Sequence, residues 1–257
     1  MNAKCIQSFW QVARAAGLAG LVIAWNAATV AAPPSRPNIL FCIADDWGWP
    51  DAGGYGDPVV KTPAFDRVAR EGVLFENAFV TSPSCTPSRN SILTGQVHWR
   101  LGAGANLWSS LAPEHPVYPS LLEDAGYHVG HWRKAWGPGD WKRLGRSRHP
   151  AGEPVKKGFR EFLAARPAGT PFCFWLGASD PHRPYDAGSG RKAGIDPAQV
   201  RVPADLPDCG VVRDDLADYL FEVQRFDHGL GLRRLRRQPN EAIPDRAPRG
   251  RCHAAFF

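Results

Sequence analysis

Two short runs of apolar residues, nearly uninterrupted by polar positions, place the strongest constraint on the fold of this chain. They cover residues 38–44 and 172–176, and a third strand pattern lies at 127–131. Apolar runs of this length without alternation are typical of strands buried on both faces, as in a parallel sheet. With 257 residues and 44% apolar composition, the chain can bury such a sheet in one α/β domain or in a domain and a half.

Helix signals and one further strand signal lie between and beyond these runs. Thr62 is the expected N-cap of a helix that Gly72 ends, and residues 119–126 have the pattern of a second, short helix. Residues 73–80 are predicted to return as a strand. Apolar residues between 216 and 226 recur at helical spacing, which predicts a longer helix there.

Residues 1–32 have the pattern of a signal peptide. Lys4 and Arg14 precede the uncharged run 15–25, and small residues follow at 29–32. The uncharged run is about half of the roughly 20 residues that span a membrane. We therefore expect an exported protein, periplasmic or extracellular, without a stable membrane anchor.

The positive charge of the chain lies outside its central part. Of the net charge of +6, residues 1–32 carry +2 and residues 232–257 carry +5, which leaves residues 33–231 at −1. A nucleic-acid-binding face needs clustered Lys and Arg on the folded body, so no nucleic-acid partner is expected. The folded domain is expected to be residues 33–231.

The segment 232–257 differs in composition from the residues before it. It is rich in Arg, Pro and Ala, has no sustained period and is expected to contain no strand. Such a break is the pattern of truncated or out-of-frame coding sequence, a hypothesis that sequencing of the parent gene region tests. A natural disordered basic tail is the alternative.

Cys85 is the most specific candidate for chemistry in the chain. Pro87 suits the first turn of a helix that Gly95 closes, which places Cys85 at the N-terminus of that helix. Unpaired N–H groups and the positive end of the helix dipole attract oxyanions there, and the Arg89 side chain would face the same spot. The segment predicts a nucleophile beside an anion site, with a small buried hydrophobe as the alternative.

The other cysteines that follow the signal segment are widely spaced. Together with Cys85 they make an odd number, and they are Cys42, Cys173, Cys209 and Cys252. This pattern favours neither a disulfide scaffold nor a zinc cluster. Cys42 and Cys173 lie inside apolar runs and are expected in the core.

Asp45 and Asp46 follow the first apolar run directly. Two adjacent carboxylates at the end of a buried strand repel each other and lose hydration, so the arrangement is costly without a cation. Hard oxygen ligands favour Ca²⁺ or Mg²⁺ over zinc. A solvated turn with an Asp cap is the alternative.

The segment Cys85-Thr86-Pro87-Ser88-Arg89, followed by Leu93-Thr94-Gly95, resembles the C-x-P-S-R signature of the type I sulfatases. In that family a formylglycine-generating enzyme oxidises the cysteine to Cα-formylglycine. The order of strand, acidic pair, helix, strand and nucleophile is also similar to the family's N-terminal region. The resemblance covers residues 37–231 and implies an alkaline-phosphatase-like α/β fold, a mostly parallel sheet with helices on both faces, C-terminally truncated in this chain.

The resemblance also implies a metal site and substrate contacts. Asp45, Asp46 and the modified Cys85 match ligands of the family's calcium ion, with Mg²⁺ as an alternative metal. His182 matches a histidine that binds the sulfate and assists the leaving group, and Arg183 is a candidate partner for an acidic substrate. The Asp-Pro-His-Arg-Pro run around them is similar to the heparan N-sulfatase branch. From the residues alone, a loop histidine is more often structural.

Lys134 matches the family's sulfate-contacting lysine, commonly found as Gly-Lys-x-His. This chain has Arg133 at the glycine position and Trp136 at the histidine position, so an aromatic wall would replace one assisting group. Without the resemblance, a lysine after a strand is usually a solvated surface residue. Asp227 is not expected to be a metal ligand, because it continues the helical pattern instead of following a buried strand.

The implied reaction is hydrolysis of a sulfate ester or sulfamate, with sulfated glycans as the expected substrates. The hydrated formylglycine made from Cys85 would attack sulfur, Arg89 would hold the gem-diol, and Lys134 and His182 would stabilise the sulfate and the leaving group. Alternatives are a phosphatase or phosphonate monoester hydrolase on the same fold, and an inactive remnant. Ca²⁺ takes about six to eight oxygens, so this chain alone is expected to bind it weakly and turn over little substrate.

Overall fold

The structure is a computed structural model that describes residues 36–230 and 253–256. The predicted signal segment at 1–32 and most of the predicted tail lie outside the described residues. Within them, five strands form one sheet in the order β3-β2-β4-β1-β5. The strands are β1 (Ile39–Ile43), β2 (His128–Trp132), β3 (Glu153–Pro154), β4 (Phe172–Gly177) and β5 (His253–Phe256).

The strands pair in parallel throughout this sheet. The two fully apolar runs, β1 and β4, lie side by side at its centre, with Ile39 opposite Cys173 and Ile43 opposite Gly177. Their central position explains the sequence pattern, because a strand flanked by neighbours and covered on both faces has no solvent side. The predicted mostly parallel sheet is confirmed.

Six α-helices lie in the described part of the chain. They are α1 (Pro63–Glu71), α2 (Cys85–Thr94), α3 (Tyr118–Asp124), α4 (Phe159–Ala165), α5 (Ser189–Lys192) and α6 (Gly210–Leu230). The predicted helices at 63–71, 119–126 and 216–226 correspond to α1, α3 and the greater part of α6. Among these described helices, none is both long and apolar enough to cross a membrane.

The helices cover both faces of the sheet. On one face Phe41 and Ile43 of β1 pack with Leu93 of α2 in a core cluster that includes Trp175. On the other face Cys42 packs with Phe226 of α6. Cys42 and Cys173 are buried, as predicted, and burial raises the pKa of each thiol to about 12. The expected two-sided α/β arrangement is confirmed.

The prediction of a strand at residues 73–80 is wrong. The segment is irregular in the structure, and four of its large apolar side chains are exposed, including Phe79 at 90% and Val73 at 77%. A strand needs a neighbouring strand to receive its backbone hydrogen bonds, and no described strand pairs with this segment. Composition alone therefore does not determine its structure.

The prediction that Thr62 caps α1 is only half right. Thr62 does precede the helix, but its hydroxyl accepts a hydrogen bond from the Gly53 N–H (2.9 Å) and donates to Asp66 (2.8 Å). The free N–H groups of the first turn donate instead to the buried carboxylate of Asp227, at 3.0 Å from Ala64 N and 2.8 Å from Phe65 N. A side chain of α6 therefore caps α1.

The expectation that residues 232–257 contain no strand is also wrong. The structure places β5 at His253–Phe256, parallel to β1, with Ile39 opposite His253 and Cys42 opposite Phe256. The physical reason is the open edge of β1. Its unpaired backbone N–H and C=O groups can form hydrogen bonds with any extended segment that lies beside the strand. A sequence search for periodicity does not detect so short an edge strand.

Two stacked histidines lie under the loop that follows β2. The rings of His131 and His149 are 4.2 Å apart, His131 Nδ1 is 2.9 Å from the Gly152 carbonyl, and His149 Nδ1 accepts from the Ala151 N–H at 3.1 Å. Burial lowers the pKa of His131, and burial together with the neighbouring His131 charge lowers the pKa of His149 to about 3. Both rings are therefore held in the neutral form.

We predict that acid destabilises the protein through this pair. The folded-state pKa of His149 lies below its unfolded value of about 6.5, so the unfolded state binds the proton more readily and stability falls as pH drops below that value. Between pH 7.5 and 5.0 the expected loss through His149 is about 2 kcal/mol. Urea unfolding at both pH values measures it. The pH-dependent loss of stability should be smaller in His149→Phe than in the wild type. It should be unchanged in His228→Gln, the control, because His228 is an exposed histidine on α6.

Candidate functional site

The predicted site residues meet at the carboxyl ends of the central strands. A cleft of about 300 Å³ lies beyond the end of β1, lined by the segment that follows this strand and by the first turns of α2. Asp45, Asp46, Cys85 and Arg89 are among its lining residues. Open parallel sheets bind ligands at this edge, because the connecting loops diverge there.

Cys85 is the first residue of α2, as the sequence predicts. Ser84 precedes the helix with extended backbone, and Gly95 ends it with a φ of 67°, in the left-handed region that favours glycine. The thiol is half-buried and its Sγ lies 3.7 Å from Oδ1 of Asp45. The Cys85 side chain therefore combines access from the cleft with the electropositive end of a helix.

Asp45 is the buried centre of the charged groups. Its side chain is 4% exposed, and Oδ1 accepts a hydrogen bond from Arg89 Nη2 at 3.0 Å. Oδ2 accepts from the Lys134 ammonium, and the Asp45 N–H donates to the Asp180 carbonyl at 3.0 Å. One carboxylate is thus neutralised by two cations from different parts of the chain.

Asp46 points away from that cluster. Its φ of 72° lies in the left-handed region, and its side chain is 57% exposed. Oδ2 of Asp46 lies 3.8 Å from Nε2 of His182. The carboxylate of Asp46 is therefore solvated, whereas that of Asp45 is buried and paired with two cations.

The Lys134 ammonium lies between the sulfur of Cys85 and the carboxylate of Asp45. Its Nζ donates to Asp45 and lies 3.3 Å from Cys85 Sγ. The preceding residue, Arg133, has a φ of 59° and turns the chain toward the site. Gly177 at the end of β4 permits this path, because a Cβ there would collide with the Lys134 backbone. Lys134 therefore lies against Asp45 and Cys85 with a largely buried side chain, unlike the solvated lysine of the alternative.

The Arg89 side chain binds protein groups with both arms. Nη1 donates to the Lys134 carbonyl at 2.9 Å and Nη2 to Asp45, and the residue is 4% exposed. The sequence-based role of holding the gem-diol requires an arm that faces Cys85. In the structure the two arms bind Asp45 and the loop of Lys134, and Arg89 also lines the cleft with Cys85, so the role of holding the gem-diol stays a prediction.

His182 and Arg183 lie at the exposed rim. The His182 side chain is 44% exposed, and its Nδ1 is hydrogen-bonded to the Arg183 carbonyl, which leaves Nε2 on the side of Asp46. The Arg183 guanidinium lies 4.5 Å from the Tyr185 ring centroid and forms a two-armed ion pair with Asp215, with 2.7 Å between Nη1 and Oδ1. The structure therefore brings His182 to the site and pairs Arg183 with a neighbouring carboxylate.

The residues of the cluster match a divalent cation only in part. One candidate ligand atom each from Asp45, Cys85 and His182 lies within 4.8 Å of the others, and Asp46 is not among them. Both oxygens of Asp45 already accept from Arg89 and Lys134. Ca²⁺ and Mg²⁺ require a shell of oxygen ligands, which the described residues do not supply by themselves.

Two residues of the site region, Asp180 and Asn90, were not identified from the sequence. Asp180 accepts the Asp45 N–H, and its carboxylate lies 3.3 Å from Arg225 of α6. Asn90, fully buried in α2, accepts the indole N–H of Trp136 at 2.7 Å. The only feature of the sequence that pointed to Asp180 was its position two residues before His182, and no feature pointed to Asn90. Their contacts join distant parts of the chain, so a local sequence pattern does not reveal them.

Known proteins resemble this chain in sequence. The sequence model of the sulfatase family matches residues 37–231. The human N-acetylgalactosamine-6-sulfatase is 37% identical over 155 residues, which are 54% of this chain and 26% of that protein. The chain thus spans about a quarter of the length of this curated relative. Its placement in the heparan N-sulfatase branch stays a prediction.

Solved structures share the fold at low sequence identity. A Bacteroides fragilis protein proposed to be a sulfatase has a TM-score of 0.59 at 18% identity, with 79% of this chain and 59% of that chain covered. A phosphonate monoester hydrolase from Silicibacter pomeroyi has a TM-score of 0.58 at 19% identity, with 78% and 58% covered. The predicted alkaline-phosphatase-like fold is confirmed. By the match of the family sequence model to residues 37–231, the chain belongs to the sulfatase family.

Proposed function

We propose that this chain is the N-terminal catalytic part of an exported, periplasmic or extracellular enzyme that hydrolyses sulfate esters or sulfamates of sulfated glycans. The observation that carries the proposal is the position of Cys85, at the N-terminus of α2, with the Lys134 ammonium 3.3 Å from its sulfur. The sulfated glycan is proposed because the human relative is named as a sulfatase of N-acetylgalactosamine.

The proposed modification of Cys85 fits its surroundings. The side chain lines an open cleft, so a substrate can reach the modified residue in the folded protein. When present, the hydrated aldehyde supplies a hydroxyl nucleophile and a second hydroxyl for release of sulfate. A thiol cannot supply the second of these, which is why the cysteine requires oxidation.

The residues of the chain then have distinct proposed tasks. Lys134 places positive charge where the oxygens of a sulfate would lie against Cys85, and the helix dipole of α2 adds to it. His182, at the rim with Nε2 directed toward Asp46, is placed to hold a proton for the departing oxygen. Asp45 and Arg89 fix the lysine, and Arg89, which lines the cleft with Cys85, is also proposed to hold the gem-diol. Arg183 is a candidate contact for an acidic substrate.

The metal of the complete enzyme is proposed to be Ca²⁺, with Mg²⁺ as the alternative. It would supply Lewis-acid polarisation of the nucleophile and of the sulfate oxygens. Asp45, Asp46 and the modified Cys85 are its proposed ligands within this chain. Because Lys134 and Arg89 already bind Asp45, we assign no step to the metal here and expect the 257-residue chain to bind it weakly.

Coexpression with a formylglycine-generating enzyme tests the proposed function. Mass spectrometry should show loss of sulfur at Cys85, while Cys209, an exposed cysteine outside the motif, stays a thiol. The modified chain should hydrolyse an aryl sulfate slowly and in preference to the matching aryl phosphate and phosphonate ester, and Cys85→Ala should abolish this activity.

The possible outcomes separate the alternatives. Preference for the phosphate or phosphonate would support the corresponding hydrolase instead. An unmodified Cys85 with no turnover would support the inactive remnant. Fast turnover that a chelator abolishes would support the proposed reaction and contradict the expected weak metal binding.

A further inference from the structure

The loop that carries Lys134 is attached to the nucleophile helix by several side chains. Each bond joins a residue of α2 to a residue of the loop, and every one of the α2 residues is buried. The bonds are Arg89 Nη1 to Lys134 O (2.9 Å), Trp136 Nε1 to Asn90 Oδ1 (2.7 Å) and Thr86 Oγ1 to Pro138 O (2.5 Å). These hydrogen bonds thus fix the loop of Lys134 to the helix that begins at Cys85.

Asn90 is the least expected of these residues. It has no exposed surface, and a buried amide is costly unless both of its ends are hydrogen-bonded. Both are: Oδ1 accepts the Trp136 indole N–H, and Nδ2 donates to the Gly104 carbonyl at 2.9 Å. The second bond fixes the orientation of the amide, so only its oxygen faces the loop.

Trp136 transmits this constraint to Lys134, two residues earlier. Its partly buried ring packs against the core cluster of Leu93 and Leu111, and Ala135 between the two residues is 1% exposed. With Ala135 buried and the indole bonded to α2, the direction in which the Lys134 side chain leaves the loop is restricted. That direction leads to the sulfur of Cys85, 3.3 Å from Nζ.

We propose that Asn90 and Trp136 are positioning residues that hold the Lys134 ammonium against the reactive atom of Cys85. That this positioning serves catalysis rests on the proposed function. The position of the Lys134 charge beside the sulfur does not depend on that proposal. The competing explanation is that Asp45 alone holds Lys134 and that the Asn90–Trp136 bond only stabilises the core.

Alkylation of the unmodified thiol distinguishes these explanations. The chain is expressed without the maturation enzyme, and Cys85 is alkylated separately with anionic iodoacetate and neutral iodoacetamide. Both reagents attack the same thiolate, so the ratio of their rates reports the positive charge beside the sulfur and cancels the reactivity of the thiol. Peptide mass spectrometry reads Cys85, and the exposed Cys209 is the internal control.

We expect Lys134→Met to lower the iodoacetate-to-iodoacetamide ratio at Cys85 roughly tenfold, the size of one charge interaction at about 6 Å in a partly screened site. Trp136→Phe and Asn90→Leu should each lower it about threefold or more. Trp175→Phe is the matched control, because Trp175 lies in the same core cluster and its indole N–H has no hydrogen-bond partner among the described residues.

The ratio at Cys85 should stay at the wild-type value in Trp175→Phe, and the ratio at Cys209 should stay unchanged in every variant. A wild-type ratio in Trp136→Phe, with the ratio lowered in Lys134→Met, would overturn the positioning role. An unchanged ratio in Lys134→Met would overturn it as well, because the charge would not lie at the sulfur. Neither result depends on sulfatase activity, so the proposed function is tested separately.

Discussion

Asp45→Asn should lower the free energy of unfolding by about 3–5 kcal/mol at pH 7, the cost of removing one member of a buried ion pair. Arg89 is 4% exposed, and the Lys134 side chain is 23% exposed. The substitution preserves the shape of the side chain but leaves both cations without their negative partner. Urea unfolding of the wild type and the variant measures the difference.

Asp46→Asn is the matched control for this prediction. It changes the same chemical group one position later, at a carboxylate that is 57% exposed, and asparagine tolerates the φ of 72° at that position. We expect a change of less than about 1 kcal/mol. The variant Asp45→Asn/Lys134→Met should recover part of the lost stability, because it removes one of the unpaired cations. A loss below about 1 kcal/mol in Asp45→Asn would contradict the role of Asp45 as the centre of the cluster.

The central sheet was predictable because its signal is local. The residues of β1 and β4 are apolar at nearly every position, and burial on both faces is the simplest reason for such a run. The segment 73–80 is also rich in apolar residues, but it has no strand partner among the described residues, and most of its side chains are exposed. A strand forms only with a partner strand, which can lie far away in the sequence, so an apolar run predicts a strand correctly in one place and wrongly in another.

The members of the site were predictable for a different reason. In a parallel sheet the carboxyl ends of all strands lie on one edge, so residues that follow β1, β2 and β4 must meet there. This brings together Asp45, Lys134 and His182. Their order along the chain thus indicated a shared site, although their individual roles stay proposals.

The contacts within the site were not predictable at this level. The sequence-based interpretation placed Arg89 beside Cys85 but did not identify the two partners of its guanidinium, Asp45 and the Lys134 carbonyl. Which groups the Arg89 guanidinium contacts depends on the rotamer of its side chain and on the path of the loop after β2. The Asn90–Trp136 bond has the same origin: it joins residues 46 positions apart, and neither side chain has a local sequence pattern that indicates it.

Asp227→Ala is predicted to destabilise the protein by about 3 kcal/mol through loss of the distant cap of α1. The carboxylate of Asp227 is 1% exposed and accepts from two N–H groups of the first turn of α1, Ala64 and Phe65. Hydrogen bonds to a charged group contribute about 1.5–3 kcal/mol each, and relief of the burial cost of the carboxylate recovers part of the loss. Burial raises the pKa of Asp227 despite these two donors, which lower it. Guanidinium or urea unfolding measures the change.

Asp214→Ala on the same helix separates the cap from a general effect on α6. Asp214 pairs with Arg191 at 2.6 Å on the surface, and exposed ion pairs contribute about 0–1 kcal/mol, so this variant should be close to the wild type. Hydrogen exchange adds a local readout: in Asp227→Ala the amides of the first turn of α1 should lose protection before those of β1 and β4 do. Equal losses of stability in the two variants would show that Asp227 does not act as the cap. Such an outcome would also remove the reason why a charged residue lies on the buried face of α6, where the helical pattern by itself favours an apolar side chain.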